Sequence, residues 1–355
     1  MHEHLNIKPK SDSRWDLVSL GEVLLRFDPG DDRVHTARNF RVWEGGGEYN
    51  VARNLATCFQ IDTAIVTALA DNQVGRLVEG LISEGRVDTS EIRWHKTDGI
   101  SATARNGIYF MERGFGPRTP TGCSDRANTA VSQLTPGDID WNGIFASKGT
   151  RWFHTGGIFS ALSESTADVA AEAMVAANAA GAIVSYDLNY RDSLWSGRGG
   201  REAANELNRQ LLELSDVVFG VENFDPGYTG YSEESFRRAT EEMISRHPNL
   251  QVACSILRDI HSASQHSLSA VCYADGQVFK AADHANVHVL DRVGSGDAFA
   301  AGIIYGLLSG QNLQETVDLA CASAVLSLAS LGDGSTATYQ EIERAAKRSG
   351  GPAIR

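Results

Sequence analysis

The stretch Asp291–Gly306 reads DRVGSGDAFAAGIIYG, and its interpretation decides the fold. A short β-like run, Val287–Leu290, precedes it. Ala298, Phe299, Ile303, Ile304 and Leu307 follow at helical spacing. A chain with this pattern makes a tight glycine turn and enters a buried helix. Gly294 and Gly296 admit backbone conformations closed to other residues and let a ligand come close. Free amides at a helix start, at the positive end of its dipole, attract an anion. Asp297 sits where that anion site begins. A carboxylate there serves equally as a helix cap or as a base that takes a proton from an attacking hydroxyl during phosphoryl transfer. The turn is not Gly-x-Gly-x-x-Gly, and no Gly-Lys-Ser/Thr occurs in the chain, which weakens dinucleotide-binding and P-loop readings.

Working outward, strands and helices alternate. Strands are expected at Asp16–Leu25, Thr63–Ala70, Trp152–His154, Ala182–Asp187, Asp216–Phe219 and Val252–Leu257. Helices are expected at Asn50–Phe59, Gly75–Glu84, Ser165–Ala180, Glu202–Leu214 and Glu233–Arg246. Such alternation gives a mainly parallel sheet covered by helices on both faces, an α/β fold. Residues 33–43 and 92–130 break the rhythm with short strands and Gly-, Pro- and Thr-rich turns. They are expected to form a small β-sheet lid on the α/β body. Residues 1–14 read as a disordered extension, 15–345 as a single domain and 346–355 as a tail.

The 355 residues carry 32 Lys and Arg against 45 Asp and Glu, a net charge of −13. That balance argues against a nucleic-acid binder, which needs a basic face. No apolar run approaches the ~18 residues of a membrane helix, and the N-terminus has no secretory core. Five scattered cysteines never spaced CxxC, with no HExxH among ten histidines, argue against a disulfide framework and a zinc cage and point to a reducing cytoplasm.

DRVGSGDAFAAG resembles the C-terminal signature of the PfkB, or ribokinase-like, sugar kinases (D-T-x-G-A-G-D), with Arg292 and Ser295 in place of Thr and Ala. Gly45–Ala56, GGGEYNVARNLA, resembles that family's N-terminal signature. The resemblance implies a ribokinase-like three-layer α/β/α sandwich with a small β-sheet lid. It makes Asp297 the catalytic base, and it builds the anion hole from the amides of Val293, Gly294, Ser295 and Gly296. ATP and Mg²⁺ are the expected cofactors, with room for a monovalent cation.

Within the family the chain is most similar to 2-keto-3-deoxygluconate kinases. RNGIYFMERG at 105–114 resembles a lid strand that supplies Tyr109, and SDRANTA at 124–130 a segment that supplies Arg126. DLNYRDSLW at 187–195 resembles a motif that supplies Asn189, Tyr190 and Arg191. A sugar acid needs a cation, and Arg presents a planar fork to carboxylate; a surface salt bridge or a loop charge is the other reading of these arginines. Gly45 and Gly46 form a backbone wall against the sugar, and Asn50 either bonds it or caps its own helix. Ser255, Leu257 and Arg258 are placed near the ATP phosphates. The family's Asn-x-x-Glu metal motif is altered: in FGVENFD at 219–225, Val221 and Phe224 take the Asn and Glu places, with Glu222, Asn223 and Asp225 beside them. Protein ligands to the metal are therefore unassigned. The expected reaction is phosphorylation of 2-keto-3-deoxygluconate at its 6-hydroxyl by a cytoplasmic homodimer paired through the lid. A kinase for a neutral sugar or nucleoside is the same-fold alternative, and a ligand-sensing pseudokinase the alternative from another class.

Overall fold

The computed structural model describes residues 5–347. Its strands are β1 (Trp15–Leu20), β2 (Leu24–Asp28), β3 (Arg41–Gly45), β4 (Thr63–Ala70), β5 (Ile92–His95), β6 (Ile108–Glu112), β7 (Thr121–Asp125), β8 (Thr150–Gly156), β9 (Ile183–Asp187), β10 (Val217–Phe219), β11 (Val252–Ser262), β12 (Gln265–Ala274), β13 (Gln277–Lys280) and β14 (His284–His288). The large sheet runs β13-β12-β11-β10-β9-β8-β1-β4-β5, with β14 also on β12. From β11 to β5 all pairs are parallel, while β11, β12 and β13 pair antiparallel.

Successive side chains of the parallel strands enter two different cores, as the two-residue strand period requires. Leu17, Ile65 and Trp152 join the core beneath the helices Gly47–Cys58, Ser295–Leu308 and Leu313–Ser327. Their neighbours Val18, Val66 and Phe153 join the core beneath Glu164–Ala179, Gly200–Leu212 and Glu233–Arg246. A sheet buried on both faces gives the three-layer sandwich expected from the alternation. No described helix is long and apolar enough to cross a membrane.

The second sheet runs β3-β2-β6-β7. The expected strand Asp16–Leu25 is in fact two: β1 ends at Leu20, and β2 starts at Leu24 in the other sheet. Residues 21–23 carry the chain between them. The lid is correspondingly smaller than 92–130, because Ile92–His95 pairs parallel with β4 as the edge of the large sheet. Part of the supposed disordered extension is packed: Leu5 is buried, and Lys10 bonds Asp16 and Asp62, each at 2.6 Å. Positions 1–4 of that extension, and 348–355 of the supposed tail, lie outside the described residues; Ala346 ends the helix Tyr339–Ala346.

Candidate active site

A cavity of about 510 Å³ opens where the C-terminal ends of the parallel strands meet the lid, the usual place for a ligand in an open α/β sheet. The glycine turn forms one wall. Gly294 has φ +80°, and a Cβ there would stand 1.8 Å from the Asp333 carbonyl oxygen, so only glycine fits. The helix Ser295–Leu308 starts directly after it. The amides of Gly294, Ser295 and Gly296 make no hydrogen bond within the described residues, and nothing lies within 4 Å of where a Gly296 Cβ would be. The Val293 amide differs: it donates to Asp291 Oδ1 at 3.2 Å. Of the four amides expected to form an anion hole, three are thus free of hydrogen bonds within the described residues and one is occupied.

Asp297 is in the first turn of that helix and lines the cavity. Asn50 Nδ2 donates to Asp297 Oδ2 at 2.7 Å, across 247 residues of sequence, and Asn50 Oδ1 accepts from the Gly46 amide at 3.3 Å. The N-cap of the helix Gly47–Cys58 is Gly46, so Asn50 does not cap it but ties the two glycine motifs together. Burial, with Asp187 and Asp333 nearby, pushes the Asp297 carboxyl up to about 7. Two further carboxyls share the space. Glu48 is pushed up to about 8 by burial and by Asp297 and Asp187, and Asp187 up to about 6 by burial. Glu48 Oε1 accepts from the Phe159 amide at 3.2 Å, while its Oε2 has no partner.

Asp187 closes β9 and accepts the Asn189 amide at 3.0 Å, which holds Asn189 at φ +27°. That side-chain turn brings Asn189 and Arg191 to the cavity wall. The only hydrogen bond of the Arg191 guanidinium within the described residues is to the Tyr190 carbonyl, at 3.3 Å. The lid contributes Tyr109, Ser124 and Arg126. Arg126 forms a close ion pair with buried Glu22, whose carboxyl burial pushes up. Tyr109 donates to Asp333 Oδ2 at 2.5 Å. Asp333 also accepts from Arg26 at 2.9 Å, and Arg26 reaches Asp291 at 2.5 Å. This fully buried arginine therefore binds lid, glycine turn and the 333 loop into one network.

Gly46, Asn50, Tyr109, Arg126, Asn189, Arg191, Ser255, Arg258 and the 293–297 stretch all line the cavity. Three expected residues do not. Leu257 is in the apolar core, because adjacent strand residues point oppositely and Arg258 takes the cavity side. Tyr190 packs with Leu194 and Trp195, with the Arg201 guanidinium 4.1 Å over its ring. Gly45 backs onto Asp333, whose Oδ2 would be 2.1 Å from a Gly45 Cβ. The 219–225 stretch gives the cavity only Phe219 and Gly220. Glu222 is taken by Arg209 at 2.6 Å and Arg246 at 3.3 Å, and Phe224 packs at a tilt against Phe236. Among the described residues no group of three His, Cys, Asp or Glu is arranged to hold a metal ion. Glu22, Arg26, Glu48 and Asp333 were not singled out from the sequence. The available signal was a lone charge inside an apolar or glycine-rich run: LGEVLLRF, GGGEYN and GDGS.

The model of the family described as pfkB family carbohydrate kinase matches residues 15–223 and 263–339. The chain is similar to 2-dehydro-3-deoxygalactonokinase of Haloferax volcanii, at 28% identity over 335 residues, covering 93% of this chain and 96% of that one. It is also similar to 5-dehydro-2-deoxygluconokinase of Shouchella clausii, at 25% identity over 328 residues, with 90% and 91% covered. Among solved structures, 2-dehydro-3-deoxygluconokinase from Thermotoga maritima superposes with a TM-score of 0.83 at 31% identity, covering 93% of this chain and 99% of that one. The interval between the two matched segments holds the helix Glu233–Arg246 and all of β11.

Proposed function

This chain belongs to the pfkB family of carbohydrate kinases, and on that premise we propose that it transfers the terminal phosphoryl group of ATP to a hydroxyl of a keto-deoxy sugar acid. The acceptor proposed is 2-keto-3-deoxygluconate, phosphorylated at its 6-hydroxyl. Membership makes the chain a phosphotransferase with a sugar hydroxyl as acceptor; the choice of an acid rests on Arg191. Its guanidinium reaches the cavity wall with no carboxylate pairing it within the described residues. A sugar carboxylate would supply that partner in a two-point bond. The relatives' names agree in kind, since each names a keto-deoxy sugar or sugar acid as the acceptor.

The geometry supports the following roles. Asp297, with an affinity for protons near neutrality, takes the proton of the attacking hydroxyl; a base works best when its pKa lies near the working pH. The amides of Gly294, Ser295 and Gly296 hold the phosphoryl group in flight. Tyr109 and Arg126 bring the lid onto the acceptor, and a closed lid keeps water from competing for the phosphoryl group. Mg²⁺ accompanies ATP and neutralises its charge, but the 219–225 stretch offers it no carboxylate at the cavity. The β7 edge is exposed along its whole length. We place the homodimer contact there, since an open edge otherwise invites random pairing.

The test is an acceptor screen by coupled ADP release with 2-keto-3-deoxygluconate, fructose, ribose and adenosine. The sugar acid should have the highest kcat/KM. Arg191→Ala should raise its KM about 10–100-fold, as loss of a charge-assisted bond does. A neutral sugar turned over faster, with Arg191→Ala indistinguishable from the parent, would end the acid reading.

A further inference from the structure

We propose that Arg258 and Arg292 clamp the terminal phosphates of the nucleotide. They would supply through side chains the neutralising charge for which the 219–225 stretch provides no acidic metal holder. The inference rests on the reading above that ATP ends at the 294–296 turn, and it names the groups that meet it.

Both guanidinium-bearing residues line the cavity that contains Asp297. Arg258, on β11, donates from Nη2 to Ser295 Oγ at 2.5 Å, which fixes it against the phosphate turn; its Nε is buried without a partner. Arg292 immediately precedes the turn. Neither arginine has a carboxylate within 4.0 Å among the described residues. Of the other two cavity arginines, Arg126 is paired with Glu22, while Arg191 stands at the sugar side of the wall with only the Tyr190 carbonyl bonded to it among the described residues. Arg258 and Arg292 instead repel each other. Burial and Arg292 push the Arg258 guanidinium down to about 10. His266, fully buried with neither ring nitrogen partnered, is pushed to about 4 by burial and by the same two arginines. It is neutral at ordinary pH and adds no third charge.

Two unneutralised cations side by side are unfavourable in the empty protein and favourable once an anion carrying several charges lies between them. Terminal phosphates are such an anion, and a planar guanidinium matches their oxygens in pairs. Arg258 lies in the interval 224–262 that the family model leaves unmatched, and Glu222, the glutamate of the 219–225 stretch, is consumed by Arg209 and Arg246.

Calorimetric titration of the intact enzyme with AMP-PNP and with adenosine, each in Mg²⁺ and in EDTA, tests this. In Arg292→Ala and in Arg258→Met the Kd for AMP-PNP should rise about 10–100-fold, with adenosine within about twofold of the parent. The nucleotide-free melting temperature of Arg292→Ala should be unchanged or higher, because a like-charge contact is gone. A purely structural arginine would lower it. In EDTA the parent should still bind AMP-PNP with at most about a tenfold loss. Variants that bind AMP-PNP as the parent does overturn the clamp and leave the kinase reading standing. So do variants that lose adenosine as strongly as AMP-PNP. A parent that binds no AMP-PNP in either buffer overturns both. Should Arg258→Met not fold, Arg292→Ala decides alone, since its side chain is part-exposed.

Discussion

Replacing Asp297 by Asn removes the proposed proton acceptor while leaving its surroundings in place. The Asn50 Nδ2 bond to Oδ2, 2.7 Å long, has an acceptor in the amide as well. The turn amides at 294–296 belong to the backbone and stay. Loss of a positioned general base costs about 10²–10⁴ in rate, or about 3–5 kcal/mol of barrier. Coupled assays should show that loss in kcat, with AMP-PNP affinity kept within about threefold. Stability should move the other way. Below about pH 4 the folded and unfolded chains both hold this acid protonated, and the change is neutral there. Above the raised value the folded chain must keep a buried charge that the unfolded chain keeps in water. A rise from 3.8 to about 7 corresponds to at most about 4 kcal/mol lost as pH climbs through that window. Asp297→Asn should therefore melt higher than the parent near pH 8, with the difference vanishing near pH 4. Retention of kcat to within tenfold would refute the base. A lower melting temperature at pH 8 would refute the electrostatic account.

The remaining predictions concern the same network. The kcat/KM of the parent should rise with pH through about 7 as Asp297 loses its proton, and then level. Glu48, held up to about 8, is neutral across most of that limb, whereas removing the negative neighbour in Asp187→Asn should move the limb to lower pH. A flat pH–rate profile, or a limb that moves upward, contradicts the assignment. Arg26→Leu leaves Asp291 and Asp333 buried without their cation, while Asp28 keeps Arg113 at 3.1 Å. Urea unfolding should register a loss of about 3–5 kcal/mol, and Arg26→Lys should recover only part of it, because an ammonium lacks the fork that spans two carboxylates. A loss under about 1 kcal/mol would show that the network carries little of the stability.

What could be read from the sequence and what could not divide along the length of the interactions. The body was legible because its signals are local: strand period, helical stripes and the glycines of 294–296. Even the misplaced lid boundary had a local clue. Ile92–His95 follows the helix Gln73–Glu84 after β4, and a strand, a helix and a strand in succession predict the parallel pairing that occurs. β11 ran past its expected end at Leu257 because it forms a hairpin with β12 at 263–264, so Arg258 stands on a strand. From there the two-residue period alone separates core Leu257 from cavity Arg258.

The carboxylates of the site were illegible for a different reason. Their placement comes from contacts between residues far apart: Arg26 with Asp333 across 307 positions, Arg26 with Asp291 across 265, Arg126 with Glu22 across 104. None of these charges has a spacing that marks it. Yet their joint presence sets the chemistry. Asp297 could be recognised from a glycine turn, but a carboxyl at a helix start would ordinarily be held low by the dipole and ionised well below neutrality. It is burial beside Asp187 and Asp333 that lifts it to about 7. The motif tells where the proposed base stands, and the folded neighbours give it a proton affinity suited to one.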